Sequence, residues 1–348
     1  MIRGAAATGA LREVEPGGWD ALLAQLGWDD AYLSRAYVES ARILDPGSSA
    51  FLHVSGPGGD VAFGCILREI PGAGGLRDVT TPYGFSGPVA AGPEPPVERF
   101  WALYEEWARE HGIVSTFVRF HPLTANQRHA PPGARLERLA DVAIWRLDRG
   151  GDLFAEMHRS HRNKCRKARA AGVEVTREPA PADLDDFSAL HEDTMRRRGA
   201  SAFYFFPAEY WDALATGFGD RLVRFDARLD GALVASELCL AGPRWLHYHM
   251  GVTSETGRSV GAANALVYEA ACWGREVALE QLNLGSGLGG REDSLWAFKQ
   301  RFSPDPGRQF WIGKVVHDEG AYARLAGEAA GGDGFFPAYR EPQRAASA

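Results

Sequence analysis

The chain has 348 residues, 45% of them hydrophobic and 11% aromatic, with a formal net charge of −7 at neutral pH. That length suits two domains with sizeable cores, and the acidic balance excludes general coating of nucleic acid, though not a local basic site. No apolar run nears the roughly 20 residues that cross a bilayer, the first 14 residues lack a signal-peptide core, and the four scattered cysteines contain no Cys-x-x-Cys zinc pattern.

Taken in order, residues 1–18 are small and polar, a loose lead-in. Helical apolar spacing marks 19–26 and 32–44. Alternation at 50–54 and 61–70 around Gly56-Pro-Gly-Gly-Asp60 predicts a hairpin. A strand at 78–81 runs into Tyr83-Gly-Phe-Ser-Gly-Pro-Val89, followed by a helix over 97–111 and strands at 114–120 and 139–147. Asp148-Arg-Gly-Gly-Asp152 reads as a boundary, with Asp152 capping a helix over 153–171. Next come a strand at 173–176, helices at 182–198 and 210–216, and a hairpin, 222–229 with 232–240, around Asp230-Gly231. An aromatic strand at 244–251, a turn at 253–258 and a helix at 262–276 follow. A short strand at 282–285, a glycine-rich turn, a helix at 294–302 and a last strand at 310–317 complete the pattern. The second half thus repeats the order of the first. After Asp318 the chain is rich in Gly, Ala and Arg, a tail that either packs back or is disordered.

Two features point to anions. Arg258-x-x-Gly261-x-Ala263 sits where a strand turns into a helix, where free N–H groups and the helix dipole favour a phosphate. The helix from 153 carries Arg159, Arg162, Lys164, Arg166 and Arg169 with no acidic residue between them. The arginines recur at three- and four-residue spacing, forming one stripe. Such a stripe is either a solvated face or a phosphate contact, and the density favours phosphate.

The strand, Arg-x-x-Gly-x-Ala turn and helix resemble the pyrophosphate loop of the GNAT acyltransferase superfamily. The strand ending in Leu282-Asn-Leu-Gly285, its glycine-rich turn, and the helix carrying Phe298-Lys299-x-x-Phe302 resemble the C-terminal half of the Fem-type aminoacyltransferases. Those GNAT-derived enzymes use aminoacyl-tRNA. The resemblance covers roughly residues 19–317 and, without a charged heptad insertion, is to the compact FemX type. It implies an α/β (α+β) fold of two tandem GNAT-like domains, each a mixed, mostly antiparallel sheet flanked by helices. The expected division is 1–148 on the acceptor side, 149–317 on the aminoacyl-tRNA side, and a tail, 318–348.

By this resemblance Phe298 and Lys299 are catalytic, the lysine stabilising negative charge that develops on the ester carbonyl oxygen. Tyr83, within a segment similar to the Fem Tyr-x-x-x-Gly-Pro-Val, faces the acceptor, as do Arg198 and Tyr204. Tyr248, on the strand before the anion turn, is a further acceptor candidate. His247 and His249 share a strand face and are expected to be core or cleft residues. Val89 is followed by Ala90 and Ala91, where Fem enzymes acting on cell-wall precursors commonly carry an acidic residue. That departure favours a small amino-bearing acceptor over a peptidoglycan precursor. The implied partners are charged tRNA and the acceptor, with no metal or redox cofactor, in a cytoplasmic monomer. The alternatives are an acyl-CoA-dependent N-acyltransferase, which the Arg258 turn would serve, and a non-catalytic RNA-binding protein.

Overall fold

The structure, a computed structural model, describes residues 9–331 and 334–341. The chain divides into two compact units, one of residues 1–28, 45–138 and 311–348, the other of Asp29–Leu44 and Leu139–Phe310. In chain order the first unit begins with β1 (Arg12–Glu13) and α1 (Pro16–Gln25), and the second takes α2 (Arg35–Leu44). The first then continues with β2 (Ser48–Gly56), β3 (Gly59–Glu69), β4 (Arg77–Thr80), β5 (Val89–Ala91), α3 (Val97–Glu110), β6 (Ile113–Arg119) and β7 (Arg135–Arg138).

The second unit resumes with β8 (Ala143–Arg146), α4 (Leu153–Glu156), α5 (Arg159–Ala170), β9 (Glu174–Pro179), α6 (Asp185–Arg197) and α7 (Ala208–Phe218). It goes on through β10 (Leu222–Leu229), β11 (Ala232–Ala241), β12 (Trp245–Thr253), α8 (Glu255–Val260), α9 (Ala262–Glu276), β13 (Gln281–Gly285) and α10 (Ser294–Gln300). The chain then returns to the first unit with β14 (Trp311–Val316) and α11 (Glu319–Ala326).

Both sheets follow one plan. In the first, β2, β3 and β4 form an antiparallel meander, β4 runs parallel to β6 after the α3 crossover, and β14 and β7 close the far side. In the second, β9, β10, β11 and β12 are antiparallel, β12 runs parallel to β13 after α9, and β8 closes it. A parallel pair needs a long crossover, which the helix supplies. Each crossover helix buries its apolar stripe: Phe100, Trp101 and Tyr104 of α3 meet Phe63 and Val118, and Leu266, Val267 and Ala270 of α9 meet Phe225, Leu246 and Leu282. At about 1.5–3 kcal/mol for each large apolar side chain, these stripes hold the helices to the sheets.

The units depart from the sequence-based division in four places, the first being Asp29–Leu44, which joins the second unit. The strand before residue 148 pairs with β13 and so lies in the second sheet. The strand at 311–316 pairs with β6 and β7 in the first. The segment after Asp318 packs back: Ala321 and Tyr322 are buried with Ile70 and Val114, and Arg340 pairs with the fully buried Asp78 at 2.5 Å. Locally, the helix expected over 153–171 is broken at Met157 and His158. The expected turn at 253–258 is largely helical, with Ser254 Oγ accepting the Gly257 amide as its cap.

Candidate active site

The site is built on β11, β12 and the β13–α10 connection of the second unit. Strand β12 is bulged: Met250 pairs with Leu238 and Tyr248 with Cys239, so His249 has no opposite residue on β11. Tyr248 lays its ring forward along the strand, and its hydroxyl oxygen lies 1.9 Å from where a Cβ on Gly251 would be. Only glycine at 251 leaves room for that ring. On the other face, buried His247 bonds Asp30 at 2.7 Å and the Asn283 amide at 3.1 Å. His249 meets the hydroxyls of Tyr210 at 3.1 Å and Tyr32 at 3.4 Å, and burial, then the neighbouring His247, lower its pKa to about 3. These polar contacts brace the strand that presents Tyr248. The two histidines are core braces, as their sequence context implies.

Lys299 stands on α10, just past the glycine-rich turn. It is 8% exposed, its Nζ donates to the Ser286 carbonyl at 2.9 Å, and it lies 5.2 Å from the centre of the Tyr248 ring. Gly285, at φ +76°, would place a Cβ 3.2 Å from that Nζ, so its bare backbone clears space for the ammonium. Burial lowers the pKa of Lys299 from 10.5 to about 8, against the pull of Asp293 and Glu237. At neutral pH it is a charged ammonium in a dry setting, where electrostatic stabilisation is strongest.

Asp293 fixes the turn. Its Oδ1 accepts the amides of Leu295 and Trp296 at 2.9 Å and its Oδ2 that of Leu288 at 3.0 Å. Partial burial pushes this carboxyl up, but the amides of Trp296, Leu288 and Leu295 outweigh it and hold it below the ordinary value. Behind α10, buried His161 of α5 donates through Nε2 to the Phe298 carbonyl at 2.8 Å and packs on the rings of Phe298 and Phe302. Phe298 is therefore a half-buried packing residue that seats the backbone beside Lys299. Of the 38 Lys and Arg residues only four are lysines, Lys164, Lys167, Lys299 and Lys314. Lys299 is the buried one of the four, and as a lysine it presents a compact, titratable ammonium there.

A family description, acetyltransferase (GNAT) domain, matches residues 155–299. Among solved structures, FemX superposes with a TM-score of 0.68 at 13% identity, covering 90% of this chain and 99% of its own. The C-terminal domain of a putative lysylphosphatidylglycerol synthetase from Agrobacterium fabrum gives 0.57 at 15%, covering 86% and 92%. A tandem GNAT protein from the clavulanic acid biosynthesis pathway gives 0.54 at 14%, covering 88% and 98%. No curated protein matches the chain by sequence. The chain has the Fem-like, tandem GNAT fold.

Within this Fem-like fold the remaining expected residues fall into separate groups. On α5 the buried face is His161, Cys165 and Ala168, and Arg159, Lys164, Arg166 and Arg169 are exposed. Arg162 is turned inward, donating to the carbonyls of Ala155 and Met157 at 2.8 Å, so it braces the break between α4 and α5. Arg258 lies within α8 and pairs with Glu255 at 3.5 Å. Gly261, at φ +86°, would place a Cβ 2.7 Å from the Lys164 carbonyl oxygen, so its lack of a side chain is used to pack against α5. This brings Gly261 and the neighbouring Ala263 beside the basic helix.

Arg198, at the end of α6, is exposed and close enough for its charge to favour ionisation of the Tyr248 hydroxyl, though burial and the nearby Glu237 and Cys239 dominate and raise it. Tyr204 sits in a short 3-10 turn with its ring against Phe203. Tyr83 belongs to the first unit, 42% exposed with the Arg119 guanidinium 5.5 Å from its ring centre. A cavity of about 330 Å³ in that unit is lined by Glu105, Arg109, His317 and Asp318, and none of the expected site residues touches it. Among the described residues no helix is long and apolar enough to cross a membrane.

The residues that sequence reasoning missed are Glu237, Cys239, Asp293, Asn283 and the Asp30 partner of His247. Glu237 had a signal: it is a carboxylate inside the apolar run Leu233-Val-Ala-Ser-Glu-Leu-Cys-Leu240. It is 1% exposed and its Oε1 accepts the Cys239 thiol at 3.2 Å. Burial raises its pKa to about 8, against the Cys239 hydrogen bond and the Lys299 charge.

Proposed function

We propose that this protein is an aminoacyl-tRNA-dependent aminoacyltransferase, forming an amide bond between an amino acid and an amino-bearing acceptor. The observation that carries the proposal is Lys299, a buried ammonium braced by the Ser286 carbonyl and the Tyr248 ring. In the reaction the acceptor amine attacks the ester carbonyl carbon and negative charge builds on the carbonyl oxygen. The C–O bond to the ribose then breaks, and the proton lost by the amine ends on the ribose oxygen. Lys299 serves the middle of that sequence, as a fixed cation beside the developing oxyanion. No covalent nucleophile is needed, and the buried thiols of Cys165 and Cys239 are held protonated by burial.

The exposed cations of α5 are the proposed contact for tRNA phosphates, with Arg258, Gly261 and Ala263 beside them. Tyr248 and Arg198 are proposed to face the acceptor, with Tyr204 as a further acceptor contact. A small amino-bearing metabolite is the favoured acceptor, and a peptidoglycan precursor the other. Acyl-CoA is the second donor to test, because the GNAT-domain match spans the Arg258 turn.

The test is a transfer and filter-binding assay with mixed charged tRNAs, run beside acetyl-CoA at low, stated salt. Loss of one amino acid from its tRNA names the donor. Absence of tRNA binding together with thermal stabilisation by acetyl-CoA would move the assignment to an N-acyltransferase. Binding of RNA with no transfer under any acceptor would leave only the RNA-binding alternative.

A further inference from the structure

Glu237 lies across the ladder from the glycine over which the Tyr248 hydroxyl is seated, and it has no place in the reaction as proposed. That glycine is Gly251, and the Lys299 ammonium approaches the Tyr248 ring at 5.2 Å. Carboxyl, phenol and ammonium therefore converge around one ring on one side of the sheet. Strand β10 offers only Phe225 opposite Glu237, and Glu237's own strand offers the Cys239 thiol. Arg198 acts on Tyr248 from the end of α6, and Asp293 acts on Lys299 from the turn. A carboxylate this deeply buried is costly unless an opposite charge answers it.

We propose that Glu237 is the buried counter-charge of Lys299 on the alkaline side, a positioning residue whose ionisation holds the proton on the ammonium as pH rises. This deepens the aminoacyltransferase assignment and rests on it. At neutral pH the pair holds two protons, one on the carboxyl and one more than the free amine on the lysine. As pH rises past the range where both groups titrate, ionisation of Glu237 delays loss of the Lys299 proton. The site thus keeps its cation to higher pH than burial alone would allow.

The experiment uses the full chain labelled with 13C at lysine Cε, in which the four lysines give separable signals. Lys164 and Lys167 on the open face of α5, and Lys314 bonded to Glu137 at 2.7 Å, serve as internal references. In the wild-type protein the Lys299 signal should titrate in two steps, its own and that of the carboxyl beside it. In Glu237→Gln it should titrate in one step, with a midpoint lower by roughly one pH unit, the order expected when a nearby charge is removed from a buried site. The reference lysines should not move, and Glu237→Asp should restore the two-step curve. The alkaline limb of the transfer profile should shift down with the Lys299 midpoint.

A single-step wild-type curve, or a Lys299 midpoint unchanged in Glu237→Gln, overturns the proposal, and the wild-type curve decides it even if the variant fails to fold. A shifted midpoint in a protein that transfers nothing from any charged tRNA would uphold the counter-charge and refute the aminoacyltransferase assignment.

Discussion

Replacing Lys299 by methionine separates what the site needs from what the fold needs. The drop in its pKa from 10.5 to about 8 means that the folded state disfavours the ammonium by roughly 3 kcal/mol, at 1.36 kcal/mol per pH unit. Methionine, of similar length and apolar, removes that penalty, but it leaves the Ser286 carbonyl without its donor, at a cost of about 1–2 kcal/mol. The net gain is about 1–2 kcal/mol at pH 7, or a rise in Tm of about 1–3 °C in a chain of this size. The sign follows from linkage: a lysine whose folded pKa is depressed destabilises below the folded value, and the penalty fades as pH rises from about 8 to 10.5. The advantage of Lys299→Met should therefore shrink by pH 10, where Glu237 also loses its counter-charge. Differential scanning fluorimetry of both proteins at pH 7 and pH 10 reads this, and the transfer assay should show a loss of about 100- to 1,000-fold. A variant less stable than wild type at pH 7, or a gain equally large at pH 10, would falsify the account of a strained, charged Lys299.

Other substitutions probe the surroundings. Arg166→Ala and Arg169→Ala should each weaken tRNA binding severalfold and lower the magnitude of the salt slope by about one, measured by filter binding across a salt series. Arg162→Ala should instead lower thermal stability, since Arg162 is bonded to the Ala155 and Met157 carbonyls. Equal effects of all three on the salt slope would contradict this division. Gly251→Ala should displace the Tyr248 ring, whose hydroxyl occupies the place of the new Cβ, and cost at least about 10-fold in turnover with about 1–3 kcal/mol of stability. Unchanged kinetics would mean that the Tyr248 pose is dispensable. Asp293→Ala should cost about 1–2 kcal/mol through lost capping and raise KM less than it lowers kcat, because it loosens the turn beneath Lys299.

How much of this was legible in the sequence depended on the range of the interaction. Strands 222–229 and 232–241 and helix 262–276 match their patterns closely because local chemistry settles them. Asp230 and Gly231 take positive φ in the turn, and α9 opens at a left-handed Gly261. Lys299 was visible because Phe298-Lys299 follows a strand and a glycine-rich turn, a short contiguous pattern. Strand partnership was not visible. The apolar alternation at 311–316 marks a strand equally well in either sheet, and its partners Ser115–Arg119 and Arg135–Arg138 lie nearly 200 residues earlier. Segment 35–44 reads as an amphipathic helix whichever unit it covers; its packing on α7 in the second unit, with Gly217 against Ala36 and Tyr37 near Phe218, emerges only in the fold.

The site divides along the same line. An ammonium on a recognisable helix can be read from spacing, but its environment is made by residues far apart in sequence. Ser286 comes from a turn, Tyr248 and Gly251 from one strand and Glu237 from the strand beside it. Glu237 stayed hidden because a central strand buried on both faces shows no alternation against which a carboxylate would stand out. The usable clue was the conflict itself, since a lone acid within a continuous apolar run is costly to bury without an opposite charge. The same reasoning applies to the basic residues. In a chain that supplies nearly all its positive charge as arginine, the position of each lysine carries information. Two lie on the open face of α5, one is bonded to Glu137, and the fourth is buried, with its ammonium on the Ser286 carbonyl and over the Tyr248 ring.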